Sequence, residues 1–344
     1  MMAMLSEKYQ KSMEETIHIA FACDDAYAKF TAVALWSLME HYHGTAPVHV
    51  HILSGELSEI SRQKLQQIQE NFPALELYFP PLPEALWELP VAERYPHNEV
   101  YARIFLAEIL PGASRVLYLD SDLLILGEWE SLYHLNIKPY AFAARSEMGF
   151  APLRRHNRRL KRKKDADYFN VGVLLMDLDR WRDEGITESL VKLVQARGPF
   201  DFPEQDALNI IIDVNYYPLE PCWNKFDYRN FYPGREEEPK IIHFVYQKPW
   251  KSFSKSLEEK CLGDQSHMPS RLPRRFGCYY LTHLFWETAA RTPFAEDLRI
   301  LQDTAKCVRP MKRQSMLHAL SFIERFIRKA IRDPIKRRFW ATKS

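Results

Sequence analysis

The stretch Arg115-Val-Leu-Tyr-Leu-Asp120-Ser-Asp122 decides which fold we expect. Its apolar residues predict a buried strand, and two carboxylates one residue apart follow at the strand's end. On a regular strand these carboxylates would share a face, about 6–7 Å apart, whereas a turn can bring both onto one ion. Carboxylate oxygens suit Mg²⁺ or Mn²⁺ bridging a diphosphate. A solvated loop after a strand gives the same pattern, so the stretch alone leaves both readings open.

Strand and helix signals alternate upstream of this stretch. The predicted strands are Ile17–Ala22, Val48–Leu53 and Leu75–Phe79. The predicted helices are one capped by Asp24 or Asp25, one through Ile60, Leu65 and Ile68, and one over Glu99–Leu110. This βαβαβαβ order implies a mostly parallel sheet with helices on both faces. In such sheets ligands bind beyond the carboxyl ends of the strands.

Downstream of the stretch the signals are mixed. The predicted strands there are Ala141–Arg145, Phe169–Asp177, Val214–Pro218 and Lys240–Val245. The predicted helices are Trp181–Arg197, Glu204–Ile212 and a helical region from Phe276 onward.

Charge is segregated along the 344 residues, although the formal net charge is only +2. Residues 154–164 hold eight Lys and Arg and no acid, and residues 312–344 hold ten against two acids, so each segment is +8. The odd number of cysteines, five, and the lack of zinc-ligand spacing favour reduced thiols in a cytosol-facing protein. Residues 1–15 lack an apolar secretory core, and no run approaches the roughly 18 apolar residues of a membrane span.

Four further segments accompany Tyr101-Ala-Arg103 and the Asp-Ser-Asp stretch. They are Ile19-Ala-Phe-Ala22-Cys-Asp24-Asp25-Ala-Tyr27, Tyr168-Phe-Asn170-Val-Gly172-Val-Leu-Leu-Met176, Glu204-Gln205-Asp206-Ala-Leu-Asn209, and Ile242-His243-Phe followed by Lys248-Pro-Trp250. Together the five ordered motifs span about residues 17 to 251 and resemble glycosyltransferase family 8. That family includes bacterial lipopolysaccharide galactosyl- and glucosyltransferases and glycogenin.

The resemblance implies a GT-A fold, which is an α/β, Rossmann-like mixed sheet flanked by helices. It further implies retaining, Mn²⁺-dependent (or Mg²⁺-dependent) transfer of galactose or glucose from a UDP-hexose to a glycan or glycolipid acceptor. By the resemblance, Asp120, Asp122 and His243 would bind the metal, and Lys248 would neutralise the diphosphate as a point charge. Taken without the resemblance, a histidine such as His243 is more often a core or surface residue, and Lys248 would be read as a solvated lysine.

The resemblance also implies a donor-sugar site. Ala22, Asp24 and Tyr27 would hold uracil and ribose, although Asp24 taken alone is equally a helix cap. The residues expected around the sugar and diphosphate are Arg103, Ser121, Asn170, Gly172, Glu204 and Gln205. Polar side chains that pair with individual hydroxyls can reject an epimer, because a mismatch leaves buried groups unpaired.

Retention of configuration requires either a protein nucleophile or attack by the acceptor on the face from which UDP departs. We favour same-face attack, with a diphosphate oxygen accepting the acceptor's proton, because Gln205 is a poor nucleophile. Glu204 and Asp206 remain the alternative nucleophiles. Arg103 and Asn170 complete the expected catalytic group.

Several positions depart from the family's pattern. No glycine lies between His243 and Lys248, and Ala26 stands where relatives often offer a polar side chain to uracil. Arg145-Ser146-Glu147 follows the Ala-Ala strand where many members have Asp. Glu204 replaces the Asp of lipopolysaccharide galactosyltransferases, so the choice between galactose and glucose stays open.

Both basic segments have two readings. In the resembled family residues 154–164 would form a loop over the acceptor, where cations concentrate a phosphorylated substrate, but a solvated charge run is equally consistent. In residues 312–344, apolar residues recur at the spacing that places them on one face of a helix: Met316, Leu320, Ile323, Ile327 and Ile331. A basic helix of this kind is typical of an anionic membrane interface, and a helix packed on the domain is the alternative. Nucleic-acid binding is not expected, because aromatic residues are not interleaved with the charges.

We therefore expect a tail at 1–15, a catalytic GT-A domain at 16–255, a helical part at 256–310 and a basic membrane-surface segment at 311–344. The expected location is the cytoplasm, at the inner face of the membrane. A non-catalytic nucleotide-sugar or membrane-surface binding protein on the same fold is the competing hypothesis. A two-carboxylate glycoside hydrolase is disfavoured, because Asp120 and Asp122 cannot flank a bond from opposite sides. Transfer of glucose onto the protein itself, as in glycogenin, would need one of the 17 tyrosines to reach the active site as the acceptor.

Overall fold

The computed structural model describes residues 16–93, 95–147, 153–226, 238–245, 248–250 and 276–304. The predicted tail at 1–15 and the predicted membrane-surface segment at 311–344 lie outside the described residues. None of the helices in the described part combines the length and apolar character needed to cross a bilayer. Cys23 and Cys222 are buried.

Nine strands form two sheets in the described part of the chain. The main sheet has seven strands in the order β3-β2-β1-β4-β7-β6-β8, and β5 pairs with β9 in a second sheet. The strands are β1 Ile17–Ala22, β2 Val48–Leu53, β3 Leu75–Tyr78, β4 Arg115–Leu119, β5 Leu123–Ile125, β6 Phe142–Ser146, β7 Phe169–Asp177, β8 Tyr217–Pro218 and β9 Ile241–His243.

The four strands that come first in the chain form the parallel half of the main sheet. Ile17, Ile19 and Phe21 of β1 enter one hydrophobic cluster, while Ala20 enters a second cluster on the other face. Both faces of β1 and β4 are largely buried, and these two strands are nearly continuous apolar runs, whereas β3 alternates with exposed residues. Their carboxyl ends share one edge of the sheet, where Asp120 follows β4.

Strand β7 joins the parallel half to the rest of the sheet. It runs antiparallel to β4, with Leu119 opposite Val173, and antiparallel to β6, with Phe142 opposite Met176. The register with β6 shifts after Ala143. The fold is thus the expected α/β mixed sheet, in which β3-β2-β1-β4 and the β6–β8 pair are parallel and β7 is antiparallel to both of its neighbours.

Eleven α-helices accompany the strands in the described part of the chain. They are α1 Ala28–Glu40, α2 Glu59–Gln67, α3 Glu84–Trp87, α4 Leu106–Ile109, α5 Glu130–Tyr133, α6 Leu153–Arg159, α7 Leu178–Asp183, α8 Ile186–Arg197, α9 Pro203–Ile212, α10 Phe276–Ala289 and α11 Ala295–Thr304. Short 3₁₀ turns cover Ile68–Asn71, Asn98–Phe105 and Pro221–Trp223.

Three predicted helices differ from the structure. The helix predicted over 99–110 is a 3₁₀ segment, Asn98–Phe105, that continues into α4. The helix predicted over 181–197 is interrupted by Gly185, which adopts a left-handed φ of 59° between α7 and α8. Asp24 or Asp25 was expected to cap α1, but the residue directly before α1 is Tyr27, whose side chain makes no capping hydrogen bond. The side chain of Asp24 accepts the backbone N–H of Tyr27 in the turn that leads into the helix.

Helices α10 and α11 pack on the domain rather than standing apart. Leu281, Phe285 and Leu298 belong to the same hydrophobic cluster as strand β1. Phe285 lies 5.9 Å, ring centre to ring centre, from Phe244, which directly follows β9. The helices therefore support the end of the chain segment that carries His243.

Candidate active site

The Asp-Ser-Asp stretch lies where the two sheets meet. The N–H of Asp120 donates to Gly172 O at 2.8 Å, which extends the pairing of β4 with β7 by one residue. The chain then turns through Ser121 and Asp122 into β5. Asp122 is buried and its carbonyl accepts the N–H of Phe244 at 3.0 Å. The turn brings both carboxylates to one place, as the sequence predicted.

His243 reaches these carboxylates from β9, where it lies opposite Leu123 of β5. Its Nε2 is 3.2 Å from Asp122 Oδ1 and 3.5 Å from Asp120 Oδ2. Asp120, Asp122 and His243 each offer a ligand atom, and these atoms lie within 4.8 Å of one another. The structure thus brings together the three predicted metal ligands.

The imidazole of His243 is held in the form that a metal ligand requires. Asn224 donates its Nδ2 to Asn170 Oδ1 at 2.9 Å, which leaves its own Oδ1 to accept from His243 Nδ1 at 3.0 Å. Nε2 then carries the lone pair that faces the carboxylates. Burial lowers the pKa of His243 to about 4, so the ring is neutral at physiological pH.

Gly172 makes room for this arrangement. A Cβ at this position would lie 2.1 Å from His243 Cε1 and 2.7 Å from Asp120 Oδ2. No side chain larger than hydrogen fits there without displacing two of the three predicted ligands. The predicted role of Gly172 in the donor site is therefore steric.

Arg103 connects the metal-ligand group to helix α9. Its Nη2 lies 2.9 Å from Asp120 Oδ1 and 3.2 Å from Glu204 Oε1, and its Nη1 donates to Val171 O at 2.8 Å. The guanidinium also lies over the ring of Tyr118, 4.4 Å from its centre. Burial raises the pKa of Glu204 to about 7, although Arg103 opposes that shift.

A hydrogen-bonded network places Asn170 and Gln205 beside these groups. Asn170 Nδ2 donates to Glu147 Oε1 at 2.9 Å, and its Oδ1 accepts the N–H of Gly172 at 2.9 Å. Gln205 Oε1 accepts the N–H of Val171 at 3.2 Å. Burial raises the pKa of Glu147, and its hydrogen bond with Asn170 opposes the shift. The predicted sugar-binding side chains therefore form two groups, the Arg103 pair and the Asn170 network, and both contact the backbone of Val171.

Asp206 belongs to a different set of contacts. It has no exposed surface, and its Oδ1 lies 2.6 Å from both His156 Nε2 and the Tyr168 hydroxyl. Its Oδ2 accepts the N–H of Phe202 at 3.0 Å. These contacts are those of a carboxylate that fixes the start of α9 and joins it to α6.

The predicted nucleotide-binding residues Ala22, Asp24 and Tyr27 lie between the carboxyl end of β1 and the start of α1. Ser121 Oγ donates to Ala22 O at 3.0 Å and accepts from Thr31 Oγ1 at 2.8 Å, which ties the metal-ligand turn to β1. Tyr27 is partly exposed, with its ring edge-on to Trp250. A cavity of about 600 Å³ begins beside them, and its lining includes Asp24, Ala26, Trp87 and His97.

Lys248 forms an ion pair with Asp122 Oδ2, the oxygen that does not face His243. A cation therefore lies beside one of the three predicted metal ligands. Residues 246 and 247, which belong to the turn without glycine, lie outside the described residues. The chain on either side nonetheless brings both His243 and Lys248 to Asp122.

Two residues of the site were not among the predicted ones. Glu147 was noted only as a departure from the family's pattern, and the structure puts its carboxylate on Asn170. Asn224 had no sequence signal at all. It reaches His243 because the backbone of Lys225 pairs with β9 on both sides of Ile242.

Comparison with known proteins gives a consistent result. Residues 18–254 match the model of glycosyl transferase family 8. The chain is 28% identical over 264 residues to general stress protein A of Bacillus subtilis, covering 70% of this chain and 90% of that protein. It is 24% identical over 249 residues to glycosyltransferase GlyF of Streptococcus pneumoniae, covering 69% of this chain and 58% of that protein.

Among solved structures, the fold is similar to that of galactosyltransferase LgtC in complex with donor and acceptor sugar analogues. The TM-score is 0.62 at 20% identity, over 80% of this chain and 96% of that one. This likeness supports the expected GT-A fold. With the family model covering more than half of its length, the chain belongs to glycosyl transferase family 8.

Proposed function

We propose that this glycosyltransferase moves galactose or glucose from a UDP-hexose to a glycan or glycolipid acceptor, with retention of configuration and with Mn²⁺ or Mg²⁺. The observation that carries the proposal is the convergence of Asp120, Asp122 and His243 within 4.8 Å. The chemistry of that donor set fits a divalent cation, because it combines two carboxylates with a neutral imidazole. The nitrogen ligand favours Mn²⁺, which is softer than Mg²⁺.

The residues around this group also suit a cation and a diphosphate. Gly172 keeps open the space that a Cβ would fill. Lys248 offers positive charge on the far oxygen of Asp122. A bound divalent cation would supply further positive charge to the departing diphosphate. Lys248 would stabilise the same charge as UDP leaves, which is the kind of electrostatic effect that is usually largest in catalysis.

The nucleotide would lie along the edge formed by β1 and α1. Ala22 offers backbone groups to uracil, Asp24 offers a carboxylate, and Tyr27 offers a partly exposed ring for stacking. Ser121 holds this edge against the metal-ligand turn through Ala22 O. Base, ribose and diphosphate would thus be bound at the carboxyl ends of two neighbouring strands, β1 and β4.

The hexose would contact the network of Arg103, Asn170, Glu204, Gln205 and Glu147. Its members already hydrogen-bond one another, so their rotamers are restricted before a sugar arrives. Pre-positioned polar groups of this kind penalise a donor with one inverted hydroxyl. We therefore expect one UDP-hexose to be strongly preferred.

Retention would follow from same-face attack by the acceptor hydroxyl. The bond between the anomeric carbon and the diphosphate oxygen breaks, the acceptor oxygen bonds to that carbon, and its proton passes to the departing diphosphate. Glu204 is the alternative nucleophile, but its carboxylate is paired with Arg103. Asp206, the other alternative, already accepts hydrogen bonds on both oxygens.

The context we propose is synthesis of lipopolysaccharide or another cell-surface glycan at the cytoplasmic face of a membrane. Attachment through residues 311–344 is part of this proposal and is supported by the sequence pattern alone. Sedimentation of the full chain with anionic phospholipid vesicles tests it.

The decisive experiment is UDP release from a panel of UDP-sugars without acceptor, with Mn²⁺ and then with EDTA. We expect slow hydrolysis of one donor, abolished by EDTA and by Asp122→Asn. If one UDP-sugar binds with metal but no UDP is released even with acceptor mixtures, the chain is a nucleotide-sugar binding protein. If no UDP-sugar binds with any divalent metal, the proposed function is wrong.

A further inference from the structure

The basic segment at residues 154–164 has a buried side and an exposed side. His156, Asn157 and Leu160 are buried, whereas the arginines next to them are exposed. One cation, Arg162, belongs to the buried side. It donates to Asn157 Oδ1 at 2.8 Å and to Asp167 O at 2.7 Å, and it pairs with Asp213 at 2.8 Å. Arg162 therefore holds the segment in place.

The exposed side carries more positive charge than the described acids neutralise. Arg154 pairs with Asp165 and Arg159 pairs with Asp201, both at the surface. Four further cations are exposed and form no ion pair with any described residue: Arg155, Arg158, Lys161 and Lys163. Clustered charges of one sign along the chain attract an anion to this side.

Lys161 is held in an unfavourable backbone conformation. Its φ is 61°, a value that favours glycine, and it follows the last turn of α6. The N–H of Arg162 donates to Asn157 O at 2.9 Å, and the N–H of Lys161 donates to Arg158 O at 3.1 Å, as in helix ends that glycine usually completes. A lysine here sacrifices stability and directs a charge outward.

The buried side connects the segment to the proposed donor site. His156 of α6 lies 2.6 Å from Asp206, whose neighbour Gln205 accepts the N–H of Val171. Tyr168, on the same oxygen of Asp206, directly precedes β7. The cations are thus fixed to the first turn of the helix that carries Glu204 and Gln205.

We propose that Arg155, Arg158, Lys161 and Lys163 form a subsite for the phosphate or carboxylate groups of an anionic glycan acceptor. This inference rests on the proposed function, because it assigns the substrate class of the second substrate. A membrane surface fits less well, since Leu160 is buried and no large apolar side chain is exposed among residues 153–164. Single-stranded nucleic acid fits less well, since no exposed aromatic residue lies among the charges.

The test compares the full-length wild type with Arg155→Gln/Arg158→Gln/Lys161→Gly. Calorimetry would measure Kd for maltotriose, for trigalacturonic acid and for glucose 1,6-bisphosphate. We expect the wild type to bind at least one charged probe more tightly than maltotriose. In the triple variant that probe should bind on the order of 10-fold more weakly, which is what three exposed ion pairs contribute. The charged probe that responds identifies carboxylate or phosphate as the recognised group.

A control of equal charge change removes three exposed cations elsewhere, in Lys138→Gln/Lys192→Gln/Arg299→Gln, of which Arg299 pairs with Glu296. We expect this variant to bind both charged probes as the wild type does. Glycine suits the left-handed φ of residue 161. The Tm of the triple test variant should therefore differ from the wild-type Tm by no more than the small effect of removing surface charges. A loss of binding then cannot result from unfolding.

Three results would overturn the inference. In the first, the wild type binds neither charged probe more tightly than maltotriose. In the second, the test and control variants lose affinity equally. In the third, the test variant loses only its binding to phosphatidylglycerol vesicles or to an oligothymidylate, so that a membrane or nucleic acid is the partner. UDP release by the wild type is scored separately, so failure of the proposed function is distinguished from failure of this subsite.

Discussion

Replacing Gly172 by alanine should damage the metal site more than it damages the fold. The new Cβ would lie 2.1 Å from His243 Cε1, and ordinary contact begins at 3.4 Å, so the ring must move by about 1.3 Å. Metal ligands tolerate displacements of only about 0.2 Å. The movement would also break the hydrogen bond from His243 Nδ1 to Asn224, 3.0 Å long.

Two magnitudes follow from this displacement. Overpacking a close-packed site costs about 1–3 kcal/mol, which a fold of this size can absorb. Loss of ligand orientation alone typically lowers metal affinity about 10- to 100-fold, and here Asp120 Oδ2 is also only 2.7 Å from the new Cβ. We expect Gly172→Ala to remain folded, with Mn²⁺ affinity reduced at least to that extent.

The assay is Mn²⁺ binding followed by electron paramagnetic resonance of the free ion, with Tm measured in parallel. Gly112→Ala is the matched control, because nothing lies within 4 Å of its Cβ. It should leave both values unchanged. A folded Gly172→Ala protein that binds Mn²⁺ as tightly as the wild type would refute the placement of the metal at these three ligands.

Three further predictions concern groups around the site and in the sheet. Asn224→Ala removes the partner of His243 Nδ1 and should weaken Mn²⁺ binding about 10-fold while Tm changes little, as a metal titration would detect. Asp206→Asn removes the charge that His156 contacts, and urea titration should show a free energy of unfolding lower by about 2–3 kcal/mol. If the folded variant still releases UDP, Asp206 is excluded as the nucleophile. Burial first, then the nearby His18 and His49, lowers the pKa of His51 from 6.5 to about 3. The folded state therefore favours neutral His51, and its stability is full above pH 6.5 and falls as the pH drops towards 3. By about pH 5 the loss should be about 2 kcal/mol, and urea titrations of His51→Gln should show a flatter acid dependence.

The strands were predictable where one pattern determined them. The apolar runs Ile17–Ala22, Val48–Leu53, Arg115–Leu119 and Phe169–Asp177 are strands with the predicted bounds. Strands buried on both faces give continuous apolar segments that no exposed helix reproduces. The break at Gly185 was not predicted, because an amphipathic pattern continues across it and only the φ of 59° reveals two helices.

The candidate site was predictable where its residues fall in ordered motifs. Asp120, Asp122 and His243 do meet, and Arg103 and Glu204 do pair. Asn224 could not be found from sequence, since its contact with His243 depends on the backbone pairing of Lys225 with β9. Such a contact is determined by tertiary packing and cannot be predicted from the spacing of residues along the sequence.

The pairing of β5 with β9 has a consequence for insertions and deletions. Leu123 lies opposite His243 and Ile125 opposite Ile241, so the two strands pair over three residues each. Successive strand residues point to opposite sides, and removal of one residue between Ile241 and His243 would turn the imidazole away from Asp122. Length changes beyond the end of β9 would spare that orientation. Across natural variants, insertions and deletions should therefore be absent from these six positions.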